Sequence, residues 1–310
     1  MTIPQKTILV AILMSLFGVA NLVAQTEADL SAFDELRLHR FPEDTPLQVE
    51  LEHNQAIVDM AIELFGNGDH RTANAKGKLG FAHFRAGDHE QAEALYREDI
   101  RVQLELRESG RLYPLGLIVT YANLAMLLQE EERLEEAADS YWAAIEIEKD
   151  FGGRINTLYQ GHLLSYASIV SEIYPANEAE PIIREVIALL SKARPLDTFM
   201  ASVHENMASV LLDMGKLEEA ESYAMLALEN GRLVIGRIDK SAMEPDWLIL
   251  IYESFVSRLD MVAAIHFAQG EREEAILFSN EAVSNLHELL SGDHPRAIDI
   301  EARLTKISRQ

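Results

Sequence analysis

Leu79-Gly80-Phe81-Ala82-His83-Phe84-Arg85-Ala86-Gly87-Asp88-His89-Glu90-Gln91-Ala92 contains the plan on which most of the chain is built. A small residue, Gly80, sits inside a pattern of helical period. A Gly-Asp turn follows, and Ala92 opens a second helical pattern behind an acidic lead-in. Glycine at position 87 can take the left-handed conformation that closes a helix, and Asp88 can accept hydrogen bonds from the free N–H groups that open the next one.

The same skeleton returns four times. Taking Ala92 as the anchor, its counterparts are Ala137, Ala179, Ala220 and Ala275, at intervals of 45, 42, 41 and 55 residues. Twelve residues before each anchor stands another small side chain: Gly80, Ala125, Ala167, Ala208 and Ala263. Two antiparallel helices that cross closely leave room at the crossing for a hydrogen or a methyl group, so small residues at both places predict paired helices. Around them the apolar residues recur at intervals of three and four, as in Leu124, Leu127 and Leu128 on one helix and Tyr141, Ala144 and Ile145 on the next. The turns between partners carry Gly87, Gly215 or Gly270; Glu132 stands there in the second unit and Tyr174-Pro175 in the third, so those two turns are expected to differ in shape. Pro181 is expected to interrupt the second helix of unit three.

These units resemble tetratricopeptide repeats. The usual period of that family is about 34 residues, and the longer spacing here is similar to the kinesin light chain subtype, in which each helix gains about one turn. Gly68-Asp69-His70 and Gly292-Asp293-His294-Pro295 fit the same subtype at helix-to-helix junctions. The resemblance covers roughly residues 47–307 and implies an all-α, right-handed solenoid of about five stacked antiparallel helix pairs with capping helices. It also implies a function in protein–protein interaction, with a peptide or protein held along the concave face lined by the first helix of each pair. The positions it marks as a groove are Lys78, Phe81, Arg85, Asn123, Met126, Ser165, Ser168, Asn206, Ser209 and Asp213. Asn123 and Asn206 stand two residues before their unit's small residue, where the family places an asparagine against a ligand's backbone; an amide both donates and accepts. Helix packing or hydrogen bonding within the helix is the alternative role for both. The family's clamp for a terminal carboxylate needs several cations, and only Lys78 and Arg85 qualify.

Composition narrows the partner. The formal net charge is −24, which argues against nucleic acid and anionic membranes, since both are bound by clustered Lys and Arg. Basic or neutral partners are compatible with it, as is a solubilising acidic coat on an elongated array. Residues 1–24 read as a secretory signal: Lys6, then an apolar run from Ile8, with a break expected after Ala24 or, second, after Ala20. An uncleaved anchor is the alternative. With cleavage no membrane span remains, and the expected destination is the bacterial periplasm or the exterior. The absence of cysteine excludes disulfides and a lipid-modified cysteine, leaving helix packing to supply stability.

Residues 25–46 read as a polar linker or N-terminal cap in which 28–40 could form a helix with a Leu30, Phe33, Leu36, Leu38 stripe. Residues 47–310 form the repeat domain, with a long helix at Leu47–Phe65, an insertion at Gly231–Pro245 that is either an extended loop or added helix, and a terminal covering helix at Ala297–Ile307. No nucleophile elbow, phosphate loop or His-Glu-x-x-His motif occurs, so no catalytic activity, cofactor or metal is expected. Asp69-His70, Asp88-His89 and Asp293-His294 sit at separate turns, where Asp serves as a cap. His83 and His266 read as packed, hydrogen-bonded residues. Two rivals stay open: an assembly role through the acidic convex surface or the 231–245 insertion, and an enzyme hidden in a helical scaffold.

Overall fold

A computed structural model describes residues 27–42, 45–110, 114–150, 157–192, 197–289, 298 and 301–302. Among them every regular element is helical. Helix α1 covers 27–38, and the others are α2 (Leu47–Phe65), α3 (His70–Arg85), α4 (His89–Glu108), α5 (Leu115–Glu130), α6 (Leu134–Asp150), α7 (Thr157–Ile173), α8 (Ala176–Lys192), α9 (Asp197–Asp213), α10 (Leu217–Arg237), α11 (Pro245–Gln269) and α12 (Arg272–Leu289). None of these is long and apolar enough to cross a membrane. The signal segment, Asp293-His294 and most of the expected terminal helix lie outside the described residues.

The chain divides into two compact units between Glu132 and Arg133. In the first, Phe33 of α1 packs with Ile57, Val58 and Ala61 of α2 and with Ala75 and Leu79 of α3. Of the stripe read in 28–40, Phe33 is in this core and Leu36 packs against it, whereas Leu30 and Leu38 are exposed. In the second unit one core runs from Ile145 to Leu286 and includes Leu163, Ile183, Met207, Leu211, Leu228, Val256 and Leu259.

Close crossing is visible where the repeat begins. A Cβ added to Gly80 would lie 2.9 Å from the Tyr96 ring and 3.3 Å from the carbonyl oxygen of Ala92, the anchor of its own unit. The other four small residues of first helices and all five anchors are buried as well. The caps follow the sequence: the Asp69 carboxylate accepts from the Arg71 N–H at 2.9 Å, and Asp88 accepts from Gln91.

Three expectations change. Glu132 does not reshape its turn; it takes φ +58°, the left-handed conformation that Gly87, Gly215 and Gly270 take at equivalent places. A non-glycine residue takes that conformation here, at the steric cost an L side chain carries in it. Pro181 does not interrupt α8, which runs through it. Position 181 is near the start, where Glu178 and Ala179 already bond to Pro175, so the proline removes one backbone donor and the rest of the helix forms. Gly231–Pro245, left open as loop or helix, is mostly helix: α10 continues to Arg237, a short 3₁₀ turn covers Lys240–Ala242, and α11 opens on Pro245.

Two stability changes follow. Gly80→Ala should destabilise by about 1–3 kcal/mol through overpacking against Tyr96, whereas Gly68→Ala, with open space around its Cβ, should be near neutral in the same urea titration. Glu132→Gly should stabilise by about 1 kcal/mol, because glycine adopts the left-handed turn without the steric penalty.

A polar cleft in the first unit

The first unit contains a cavity of about 930 Å³ walled mainly by α1, α3 and α5, with Glu50, Asn54 and Ile57 of α2 at one side. Two rows of side chains face it. On α3 the row is Asn74, Lys78 and Phe81, at helical spacings of four and three; on α5 it is Leu115, Val119 and Asn123, each four residues apart. Phe81, Leu115 and Val119 are each at least 40% exposed, so the cleft offers apolar surface to whatever enters it. Exposed apolar side chains beside convergent polar and charged groups are a make-up suited to a binding site.

The charged groups differ in how far they are committed. Arg85 does not line the cavity; its guanidinium is 2.6 Å from Glu50. Arg71 bonds Asp69 and stacks on Phe65, 3.4 Å from the ring centroid, and Asp69 holds its guanidinium in the charged form while being lowered itself. Arg37 is 2.6 Å from Asp34. Lys78 is different: its ammonium donates to the backbone carbonyl of Arg37 at 3.3 Å, and burial together with the nearby Arg37 charge pushes its pKa down. Neither Asn74 nor Asn123 makes a side-chain hydrogen bond among the described residues, whereas Asn54 donates to Glu50's carbonyl.

Beneath the rows lies Asp99 of α4, with 0% exposure. Its Oδ2 accepts from the Thr120 hydroxyl and its Oδ1 from Gln103 at 2.6 Å. Burial raises the carboxyl pKa from its ordinary value to about 7, against the lowering effect of those two bonds and of Lys76.

Of the groove positions marked from sequence, Lys78, Phe81 and Asn123 meet in this cleft. Met126 is exposed on α5 within one turn of Asn123. Arg85, also of the first unit, is turned to Glu50; Ser165, Ser168, Asn206, Ser209 and Asp213 belong to the second unit and are differently placed. Asn206 donates to the Ser168 hydroxyl at 3.1 Å, joining α9 to α7; of the alternatives held open for it, this is helix packing and not a bond within its own helix. Ser165 hydrogen-bonds Tyr141. Ser209 and Asp213 follow Asn206 along α9, and the neighbouring Glu205 accepts from Ser257 of α11 at 2.6 Å. The histidines at matching positions clasp the acid of their own turn: His83 with Asp88 at 3.1 Å and His266 with Glu271 at 2.7 Å. No group of metal-ligating residues occurs among the described residues.

Sequence reading passed over Asn74, Leu115 and Val119, although spacings of four from Lys78 and Asn123 put them in the same rows. It also passed over Asp99. A carboxylate seven residues past Ala92, in register with Ala92, Tyr96 and Gln103 on a core-facing stripe, was the available signal.

Family models for the tetratricopeptide repeat match this chain at residues 72–106 and at 118–151 and 201–230. No curated protein matches it. Among solved structures, BtubC (BKLC) from P. vanneervenii is similar with a TM-score of 0.58 at 21% identity, over 81% of this chain and 95% of that one. Acl4, the assembly chaperone of RpL4, gives 0.56 at 16% identity over 92% and 98%. The TPR-like repeats of a Podosopora anserina putative kinesin light chain give 0.50 at 14% identity over 70% and 98%. At such identities the likeness is one of fold. The chain carries tetratricopeptide repeats in an all-α repeat architecture.

The buried carboxyl makes stability depend on pH. Its folded-state pKa lies above the unfolded value, so the stability it contributes is complete below about pH 4 and is lost as pH rises through 7. In Asp99→Asn the new amide can accept from Gln103 and donate to Thr120, whose hydroxyl already reaches the Gly116 carbonyl at 3.0 Å. That variant should melt several degrees above the parent at pH 8 and within a degree or two of it at pH 5, measured by circular dichroism.

Proposed function

We propose that this chain is a non-catalytic protein-interaction module that holds a segment of a peptide or protein partner in the cleft of its first unit. One observation carries the reading. The amides of Asn74 and Asn123 line the cavity with no side-chain partner among the described residues, while Asn206, Ser168 and Ser165 in the second unit are taken up by bonds between helices. An amide held at a cleft wall can both donate to and accept from an extended backbone, and the exposed Phe81, Leu115 and Val119 would bury against the partner's side chains. The repeat matches support this reading because concave repeat surfaces suit extended partners. Export belongs to the same reading and rests on the apolar run after Lys6; a net charge of −24 favours basic or neutral partners at long range.

Assembly through the α10–α11 hairpin is the second reading. Trp247 is 63% exposed and Leu250 55%, one turn apart at the start of α11, with Met243 partly exposed before them. Large apolar residues grouped at one surface mark contact sites.

The two are separated by capture from an extract of the source cells, using the tagged chain without residues 1–24 as bait. Asn74→Ala with Asn123→Ala should weaken recovery of a co-purifying protein about tenfold, since each lost hydrogen bond is worth about 0.5–1.5 kcal/mol. Asn206→Ala should leave recovery unchanged, with melting curves showing that each variant folds. Loss with Trp247→Ala and Leu250→Ala, and none with the asparagine pair, would move the contact to the hairpin.

A further inference from the structure

Three helices of the first unit meet at one carboxyl group directly behind the cleft. Asp99 projects from α4, the Thr120 hydroxyl reaches its Oδ2 from α5, and Gly77 of α3 comes so near that a Cβ there would lie 2.6 Å from Oδ2 and 3.3 Å from the Thr120 oxygen. Both touching residues adjoin cleft walls in sequence: Gly77 precedes Lys78, and Thr120 follows Val119. A few residues away the packing is as tight. A Cβ at Gly116 would lie 2.8 Å from the Gln103 Oε1, and closer still to the Asn74 Oδ1. That Gln103 oxygen is itself buried without a hydrogen-bond partner. Asp99 stands among the residues that line the cavity, yet it is 0% exposed while α3, α4 and α5 keep this approach.

We propose that Asp99 is a positioning residue for the cleft: protonated, it lets α3 and α5 close on α4, and ionised, it drives the α5 wall outward until water reaches the carboxylate. The inference rests on the reading of the cleft as a binding site for its importance, though its test does not use a ligand.

The physical argument concerns where a negative charge could be satisfied. A carboxylate sealed from solvent must be paired or hydrogen-bonded. From α4 it has the neutral Gln103 amide, and from α5 the neutral Thr120 hydroxyl. The charged group acting on it from α3 is Lys76, whose ammonium is already committed to Glu98 at 2.9 Å and to Asn67 at 3.1 Å. Two neutral donors and a distant, occupied ammonium are modest compensation. Burial accordingly raises the carboxyl toward neutrality, within the range where many biological compartments differ. Opening the α4–α5 seam is the direct way to hydrate Oδ2, and it carries Val119 and Asn123 away from Lys78. A partner that bridges both rows then meets a wider cleft at higher pH.

The chain has no cysteine, so paired labels can be placed without background. Lys78→Cys with Asn123→Cys, both nitroxide-labelled on the full chain, would be measured by pulsed electron resonance at pH 5.5 and 8.5. The distance should lengthen by about 1–2 Å at the higher pH, the scale of helix shifts at packed interfaces, and should be the same at both values when Asp99→Asn is added. Phe81→Cys with Met126→Cys, at exposed sites on the same two helices, is the replacement pair should the first disturb folding. A distance that ignores pH in the parent overturns the proposal, and so does a shift that survives Asp99→Asn. Failure of the binding reading would show separately, as unchanged capture by the Asn74 and Asn123 variant whatever the distances.

Discussion

Everything in the first unit depends on how near two helix backbones can come. Gly80 and Ala92 define that distance, since one methyl group at position 80 would press on the Tyr96 ring and the Ala92 carbonyl. With the backbones so close, the side chains flanking the crossing interlock and the hydrophobic gain is collected over short helices. The other anchors are buried alanines, small enough for close packing and favourable to the helices they sit in.

The same closeness has a price in the polar interior. Helices that approach to glycine distance leave no room for water, so polar atoms caught between them must satisfy one another. In the second unit they do so neutrally in places, with Asn206 on Ser168, and ionically in others, with Glu205 on Ser257 and 3.5 Å from the buried Arg258. In the first unit the job falls to Asp99, Gln103 and Thr120. Asp99 and Thr120 thus serve the packing of three helices and also stand at the wall of the cavity.

How much of this could be read in advance follows from what each residue answers to. The helix pairs were legible because small residues and caps obey local rules: Gly80 with Ala92, Asp69 and Asp88 before their helices. Glu132 departs from the expectation because a non-glycine residue can occupy the left-handed turn at a modest steric cost, which residue type alone does not rule out. Pro181 departs from it because the loss of one backbone donor in the second turn of α8 does not stop a 17-residue helix from forming around it. Of the groove, Lys78, Phe81 and Asn123 came from a resemblance and converge in space. Whether an asparagine faces a cavity or a neighbouring serine is decided by the helix across from it, so Asn123 and Asn206 look alike in sequence and differ in surroundings.

Among the described residues the widest tertiary hydrogen bond is that between Ser257 and Glu205, 52 residues apart. Within each unit a new helix packs on ones made shortly before it, as α3 does on α2 and α12 on α11. As the polypeptide leaves the ribosome, acquisition of structure inside each unit is expected to keep pace with synthesis and to leave little sticky surface uncovered at any moment.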